Sequence, residues 1–238
     1  MTRLNDPACV RAEYASEKGL EGRRAAYRFA EGPDPVAIAF EAVAEARPRR
    51  VLEVGCGPGE LSERIRDDLS ADVVALDISP RMVELARERG LAAHLGDVQD
   101  LPFGDGEFDC AVAAWMLYHV RDGERALAEL RRVLRPGGRL VAVTNHPDHL
   151  RELRQLTGVG PRVASLFSGE NASELLARHF SRVEERDASG TIRFPDRESV
   201  LAFVRASATL LGGQTPPPFE TPLVVRRRPV VFVARTGE

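Results

Sequence analysis

A chain of 238 residues with 43% hydrophobic residues can bury a complete core, and we expect a single α/β domain. The formal net charge of −3 argues against a nucleic-acid partner, which usually leaves a basic footprint. Three scattered cysteines fit neither a disulfide framework nor zinc spacing. No apolar run reaches membrane-spanning length, and no signal peptide is evident. A cytoplasmic location is therefore expected.

The N-terminal part of the chain is polar and rich in arginine, and one or two short helices are expected within its first 33 residues. A regular helix is predicted to begin directly afterwards. Asp34 is a favourable N-cap, and Pro35 suits the first helical position because its missing N–H would be unpaired there anyway.

Residues 51–59 (VLEVGCGPG) join a short apolar strand to a glycine-rich turn, and a helical pattern starts at Glu60. Strand, glycine turn and helix open a nucleotide-binding βαβ unit. The dinucleotide fingerprint G-x-G-x-x-G would need glycine where the chain has Glu60. Carboxylates flank the turn, Glu53 before it and Glu60 after it. They would repel a diphosphate and suit a ligand that carries an ammonium or sulfonium group.

The βαβ pattern continues along the chain. Asp77 ends the second predicted strand, about 20 residues past the last glycine, where an acid can accept hydrogen bonds from both ribose hydroxyls. Helices are predicted from Ser79 and Asp122, near 149–157 and 171–179, and within 192–211 after a short strand. The strands predicted for the sheet are residues 51–54, 72–76, 91–95, 108–114, 139–144, 181–187 and 230–234, with the last antiparallel to the sixth.

Four motifs in order resemble class I S-adenosylmethionine-dependent methyltransferases of the methyltransferase type 11-like group. They are E-x-G-x-G-x-G at 53–59, the acid at 77, Leu-Pro-Phe followed by Phe-Asp within 101–109, and Leu-Arg-Pro-Gly-Gly at 134–138. The resemblance covers residues 36–144 well and the ends loosely. It implies a Rossmann-like, doubly wound, mostly parallel seven-stranded sheet with a small helical cap. The implied single domain, 1–238, has an N-terminal cap segment (1–33), a cofactor-binding core (34–145), and cap insertions with the last two strands (146–238).

The resemblance also implies S-adenosyl-L-methionine as the cofactor and gives roles to individual residues. Asp97 would bond the adenine amino group, and the next backbone N–H, that of Val98, would meet the ring. Tyr14 and Arg23 match loosely the residues that such N-terminal segments place near the methionine end. The expected cofactor-binding residues are Tyr14, Arg23, Glu53, Gly55, Cys56, Gly57, Gly59, Asp77, Ile78, Met82, Asp97, Val98, Ala114 and Trp115.

The expected reaction is an in-line displacement that moves a methyl group to a small-molecule acceptor, with the protein mainly supplying alignment. If a general base is needed, His119 is the first candidate and His146 the second, because the pKa of histidine can lie near working pH. Asp148 and His149 beside His146 could suggest a metal cluster. A loop with a helix cap is favoured, since no further ligands follow at a usual spacing, and no metal is expected.

Three other functions stay open. An RNA methyltransferase is the runner-up, and a basic stripe assembled from residues 226–228 and 47–50 would favour it. A nicotinamide-dependent oxidoreductase is opposed by Glu60 in place of the third glycine. A non-catalytic module would keep the cofactor site, so only an activity measurement distinguishes it. No membrane partner is expected, and the chain is expected to act as a monomer or homodimer.

Overall fold

The structure, a computed structural model, describes residues 22, 25, 27–160, 167–207, 211, 212 and 214–237. The first part of the chain alternates strands and helices, as the glycine-turn pattern predicts. In chain order these elements are β1 (Ala30–Glu31), α1 (Pro35–Ala44), β2 (Arg50–Val54), α2 (Glu60–Leu69), β3 (Asp72–Asp77), α3 (Pro80–Glu88), β4 (Ala92–Leu95), β5 (Phe108–Ala114), a 3₁₀ turn (Leu117–His119), α4 (Gly123–Val133) and β6 (Leu134–Asn145).

The second part of the chain is less regular, and its helices are shorter. The two helices predicted near 149–157 and 171–179 and the strand predicted at 181–187 are all present. No helix in the described ranges is long and apolar enough to cross a lipid bilayer. The elements are α5 (Arg151–Leu156), α6 (Ala172–Ala177), β7 (Arg182–Asp187), β8 (Gly190–Phe194), α7 (Arg197–Ala206), β9 (Leu223–Arg227) and β10 (Pro229–Arg235).

Local sequence fixes where three of the helices begin. The Asp34 carboxylate accepts a hydrogen bond from the backbone N–H of Val36 at 2.9 Å, and Pro35 is the first residue of α1. Ser79 caps α3 and Asp122 caps α4 in the same manner. Each cap satisfies an N–H group that the first helical turn leaves unpaired, so these boundaries follow the sequence.

The main sheet has seven strands in the order β4-β3-β2-β5-β6-β10-β7. Its first five strands are parallel, and β10 runs antiparallel to both of its neighbours. This is the predicted fold class, a doubly wound, mostly parallel sheet, and it is confirmed. Parallel strands bring their carboxyl ends to one edge, so β2, β3, β5 and β6 all end on the same side of the molecule.

Apolar side chains cover both faces of the sheet. On one face, Ala39 and Val43 of α1 and Ile65 of α2 are fully buried against the strands. On the other face, Leu127 of α4 and Leu176 of α6 pack against strand residues in the same way. Burying a large aliphatic side chain stabilises the fold by about 1.5–3 kcal/mol. The helices packed on the two faces therefore hold the strand ends at the carboxyl edge in place.

A second sheet, which the sequence pattern did not predict, forms part of the cap. It has three antiparallel strands in the order β1-β8-β9. Ala30 of β1 lies opposite Ile192 of β8, and Val225 of β9 lies opposite the same residue. An apolar cluster that includes Phe194 and Phe203 packs α7 onto this sheet. The cap is thus built from strands as well as helices.

The Leu-Arg-Pro-Gly-Gly motif lies within β6, whereas the sequence places it before the strand. Phe108 of β5 lies opposite Leu134, but Cys110 lies opposite Arg139. Residues 135–138 therefore bulge out of the ladder. Gly137 has φ +71°, a conformation that favours glycine, so the motif is a bulge that starts the long strand.

Candidate functional site

The glycine turn follows the carboxyl end of β2, and its three glycines have different reasons to be glycine. Gly55, Gly57 and Gly59 all have positive φ, at 64°, 55° and 87°. A Cβ at Gly55 would lie 2.6 Å from the Cβ of Met116, and one at Gly59 would lie 2.6 Å from the side chain of Leu91. A Cβ at Gly57 would meet nothing within 4 Å. Packing requires the outer two glycines, while the middle one faces room for a ligand.

Asp77 holds the turn from the end of the neighbouring strand β3. One carboxylate oxygen accepts the backbone N–H of Gly57 and the other accepts that of Ser79, each at 2.9 Å. Burial raises the pKa of Asp77, and these backbone hydrogen bonds oppose that rise. Each oxygen of a carboxylate can accept two hydrogen bonds, so both still have capacity for the ribose hydroxyls expected here.

Glu53 lies beneath the turn on β2 and is 3% exposed. Its carboxylate accepts a hydrogen bond from the hydroxyl of Ser62 at 2.5 Å. Burial raises the pKa of Glu53 to about 7, the Ser62 hydrogen bond works against this, and the charge of Asp77 adds to it. Neither acid forms an ion pair with any described cation. When both acids are ionised, which for Glu53 requires a pH above about 7, the turn carries negative charge that no described cation compensates.

Glu60, interpreted from the sequence as the second flanking charge, needs a correction. It is exposed at the start of α2, and its carboxylate lies 3.6 Å from a guanidinium nitrogen of Arg89. Arg89 lies closer to Glu63, at 2.7 Å, so solvent and a shared cation together screen the exposed Glu60, which adds little to the charge at the turn. The uncompensated pair is Glu53 and Asp77, which the strands bring together from two different segments.

The segment after β4 lies beside Asp77, because the backbone N–H of Gly96 donates to the Asp77 carbonyl at 3.0 Å. Asp97 is half-buried, and its carboxylate accepts from the backbone and side-chain nitrogens of Gln99. Val98 is buried. Asp97 and the Val98 N–H are thus on the expected side of the turn, and their contacts with adenine remain predictions.

Two further predicted contact residues belong to α3 and the turn before it. Ile78, the residue after Asp77, is half-buried, while Met82 is 1% exposed within α3. Cys56 is buried in the turn, and desolvation raises the pKa of its thiol, so it is a packing residue and not a nucleophile. The predicted residues Tyr14 and Arg23 lie outside the described part of the chain.

Trp115 directly follows β5, after the half-buried Ala114, and has a backbone conformation that bulky residues rarely adopt, with φ +53°. Its backbone N–H donates to Val143 at 2.8 Å, and its indole N–H donates to the side chain of Asn145 at 3.3 Å. Such strain persists only where the surroundings impose it, and it is concentrated at functional sites. Asn145 gave no sequence signal, because its partner is thirty positions away.

His119, the first candidate base, is half-buried in the 3₁₀ turn just past Trp115. Its ring centroid lies 4.4 Å from that of Tyr118. The turn places it at the carboxyl edge of the sheet, as predicted, but its role as a base stays a prediction.

His146, the second candidate, follows β6. Its Nδ1 atom accepts the backbone N–H of Asp148 at 3.4 Å, and the buried His149 accepts the backbone N–H of Arg228 at 2.9 Å. The first bond belongs to a local turn, and the second anchors His149 to the residue between β9 and β10. No group of three or more metal-ligating side chains occurs in the described ranges.

Comparison with known proteins agrees with this geometry. A family model described as a methyltransferase domain matches residues 52–142. A demethylmenaquinone methyltransferase from Deinococcus radiodurans is 31% identical over 183 residues, which cover 72% of this chain and 71% of that one. A malonyl-[acyl-carrier protein] O-methyltransferase from Pseudescherichia vulneris is 40% identical over 113 residues, 47% of this chain and 45% of that one. The match covers only part of several curated relatives. For the malonyl-[acyl-carrier protein] O-methyltransferase and three others, it spans 30% to 53% of the relative's length.

Among solved structures, a putative methyltransferase from Bacillus halodurans superposes with a TM-score of 0.65 at 17% identity, over 86% of this chain and 99% of that one. At this identity the likeness shows the fold. Fold, site and relatives together define a Rossmann-like methyltransferase. The chain belongs to the family of class I S-adenosylmethionine-dependent methyltransferases, which confirms the predicted family and its cofactor class.

Proposed function

We propose that this protein transfers a methyl group from S-adenosylmethionine to a small-molecule acceptor by in-line displacement. The observation that carries the proposal is the pair of uncompensated acids, Glu53 and Asp77, beside a glycine that faces open space. Buried acids without a cationic partner favour a ligand that brings positive charge. A nucleoside derivative with ammonium and sulfonium groups meets this requirement, and a diphosphate does not.

The residues at the edge have chemically suitable groups for each part of the cofactor. Asp77 has acceptor capacity for the ribose hydroxyls, and Asp97 for the adenine amino group. Glu53 favours the ammonium group through its charge. When bound, S-adenosylmethionine supplies a methyl carbon that forms a bond to the acceptor's nucleophile while its bond to sulfur breaks and the electron pair stays on sulfur. The protein fixes the line of approach, which can lower the barrier by about 7–11 kcal/mol.

We assign the general base, where the nucleophile must lose a proton, to His119. The histidine lies on the 3₁₀ turn at the carboxyl edge, a short distance along the chain from Ala114 and Trp115. A histidine can accept a proton near neutral pH without a large pKa shift. His146 is the alternative, because it directly follows β6 at the same carboxyl edge.

Charge distribution favours a small molecule over RNA. The arginines at 226–228 do not form a basic stripe: Arg226 pairs with Glu152 at 2.7 Å, Arg227 is 2% exposed, and Arg228 lies 3.4 Å from Asp148. An RNA-binding surface needs free cations to contact phosphates. The relative named for demethylmenaquinone supports the same choice.

The proposal includes a cytoplasmic enzyme that acts as a monomer or homodimer. Its domain division, with the cofactor held by 34–145 and the acceptor covered by 1–33 and 146–238, is part of the same proposal. Cys56 and Cys110 are both buried and unpaired, in agreement with a reducing compartment.

The test is methyl transfer from labelled cofactor into a metabolite extract and, in parallel, into total RNA, followed by mass identification of each labelled product. We expect label in one or a few small organic molecules and none in RNA. Efficient labelling of RNA without a labelled metabolite would reject the small-molecule acceptor. Cofactor binding without any labelled product would favour the non-catalytic module.

A further inference from the structure

A cavity of about 390 Å³ opens at the carboxyl edge of the sheet, on the α4 side. Leu117 brings the turn after β5 into its lining, and Phe167 brings the segment after β6, because the Phe167 carbonyl accepts the hydroxyl of Thr144 at 3.3 Å. Leu127 of α4 and Leu175 of α6 complete an apolar floor. The volume is that of a site for a drug-sized molecule, and the position is where α/β sheets bind ligands.

Two of the three charged side chains at the mouth of the cavity, Asp122 and Glu124, are held by hydrogen bonds within the protein. The Asp122 carboxylate accepts the backbone N–H of Arg125 at 3.0 Å and caps α4. The Glu124 carboxylate bonds Arg178 and His179, each at 2.7 Å. Arg121 is exposed and has no ion-pair or hydrogen-bond partner among the described residues. Arg121 is therefore the only cation in the cavity lining, and no acceptor among the described residues occupies its guanidinium donors.

A chain connection links this cavity to the cofactor turn. Met116 packs so closely on Gly55 that a Cβ there would lie 2.6 Å from the Met116 Cβ, and the next residue, Leu117, lines the cavity. A ligand in the cavity thus contacts the same segment that supports the glycine turn. This arrangement suits a molecule that must bring one atom close to the cofactor while the rest is held farther out.

We infer that this cavity holds the methyl acceptor, and that the acceptor has an apolar body and an anionic group. The apolar body packs on Leu127 and Phe167, and the anionic group pairs with Arg121. Guanidinium groups bind carboxylates, sulfates and phosphates through paired N–H donors, so the structure assigns the charge of the acceptor but not which of these anions carries it. That the ligand in the cavity is the methyl acceptor rests on the proposed function.

Decanoate and decylamine serve as probes, because they share an apolar chain and differ in the sign of their charge. Their dissociation constants are measured by calorimetry on the full chain, with S-adenosylhomocysteine titrated separately. Decanoate should bind at least about tenfold more tightly than decylamine.

Arg121→Gln should weaken decanoate binding by about tenfold, since it removes one charge-assisted pairing. Arg151→Gln, an exposed arginine of α5 outside the cavity lining and without an ion-pair partner among the described residues, is the matched control and should leave it unchanged.

A second variant, Leu175→Trp, fills the cavity and should abolish decanoate binding while S-adenosylhomocysteine still binds. Equal affinities for decanoate and decylamine, or equal effects of Arg121→Gln and Arg151→Gln, would overturn the inference and leave the proposed function standing. A different result, charge-selective decanoate binding with no response to S-adenosylhomocysteine, would overturn the proposed function. The cavity would then still bind apolar anions, but its ligand would not be a methyl acceptor.

Discussion

The two ends of the main sheet treat their carboxylates differently. At the amino ends of the strands, Asp109 accepts the backbone N–H groups of Arg49 at 2.6 Å and Arg50 at 2.8 Å, and pairs with Arg135 at 2.9 Å. At the carboxyl ends, Glu53 and Asp77 are buried and bonded only to hydroxyl and backbone N–H donors. The amino edge neutralises its acids internally, whereas the carboxyl edge keeps negative charge.

This difference indicates which edge is built for stability and which for binding. Glu45, which lies at the amino edge between α1 and β2, pairs with Arg139 at 3.2 Å and with Arg186 at 2.8 Å without any ligand. The hydrogen bonds from Arg186 lower the pKa of Glu45. Burial raises the pKa values of Glu53 and Asp77, so their ionised forms destabilise the fold until a cation arrives. Substitutions at the two edges should therefore have separable effects.

The largest expected effect is on turnover, at the carboxyl edge. His119→Gln should lower kcat by about 10²–10⁴-fold if His119 is the base, because proton transfer by a positioned side chain contributes that much. Cofactor affinity should stay nearly unchanged. The measurement is steady-state kinetics on the identified acceptor together with calorimetry. Full turnover in His119→Gln but not in His146→Gln would identify His146 as the base. Full turnover in both variants would show that the protein needs no base and that alignment of the reactants suffices.

The next effect compares one acid from each edge. Asp77→Ala should weaken S-adenosylhomocysteine binding by about 10-fold or more for each lost charge-assisted hydrogen bond. Asp109→Ala should lower the free energy of unfolding by about 1–3 kcal/mol, because two backbone N–H groups lose their acceptor, and should leave the dissociation constant unchanged. Calorimetry and denaturant titration measure the two quantities. Unchanged affinity in a folded Asp77→Ala variant would remove this acid from the site.

Glu53 predicts a pH dependence of stability. Unfolded Glu53 loses its proton near pH 4.5, while burial keeps the folded residue protonated up to about pH 7. Between these values the folded state binds more protons, so the free energy of unfolding falls as pH rises, by about 3 kcal/mol in total. Glu53→Gln cannot titrate and should flatten the decline. Thermal unfolding from pH 4 to pH 8 tests this, and identical pH profiles for both proteins would contradict the assignment.

The smallest effect isolates the role of one glycine. Gly57 and Gly137 have φ values of 55° and 71°, and a Cβ at either would meet nothing within 4 Å. Alanine at either position should therefore cost about 1–2 kcal/mol of stability through backbone strain. Only Gly57→Ala places a methyl group in the expected ligand space, so it should weaken cofactor binding by about tenfold. Equal affinity in both variants would mean that the cofactor does not approach Gly57.

Sequence patterns predicted the elements of the carboxyl edge because their signals are local. The Asp34 and Ser79 caps and the strand that ends in Asp77 depend on neighbours within a few positions. The glycine turn is likewise visible in nine consecutive residues. Because the carboxyl ends of parallel strands share one edge, these local signals are enough to place Glu53 and Asp77 on the same side of the sheet.

Other features depend on partners far along the chain, and the sequence did not reveal them. Ala30 pairs with Ile192 to form the second sheet, and Asn145 holds the indole of Trp115. Arg89 approaches both Glu60 and Glu63 from the end of another helix, and the exposure of Glu60 lowers the charge expected at the turn. Such pairings follow from the assembled fold, and no periodicity within a short window records them.

The central claim is that the uncompensated acids at the carboxyl edge bind S-adenosylmethionine. Calorimetric titration of the purified protein at pH 8 with S-adenosylmethionine, S-adenosylhomocysteine and NADH tests it most directly. We expect saturable binding of the first two ligands, weakened by about tenfold or more in Asp77→Ala and unchanged in Asp109→Ala, and no response to NADH. Tight binding of NADH with no response to either S-adenosyl ligand would contradict the account.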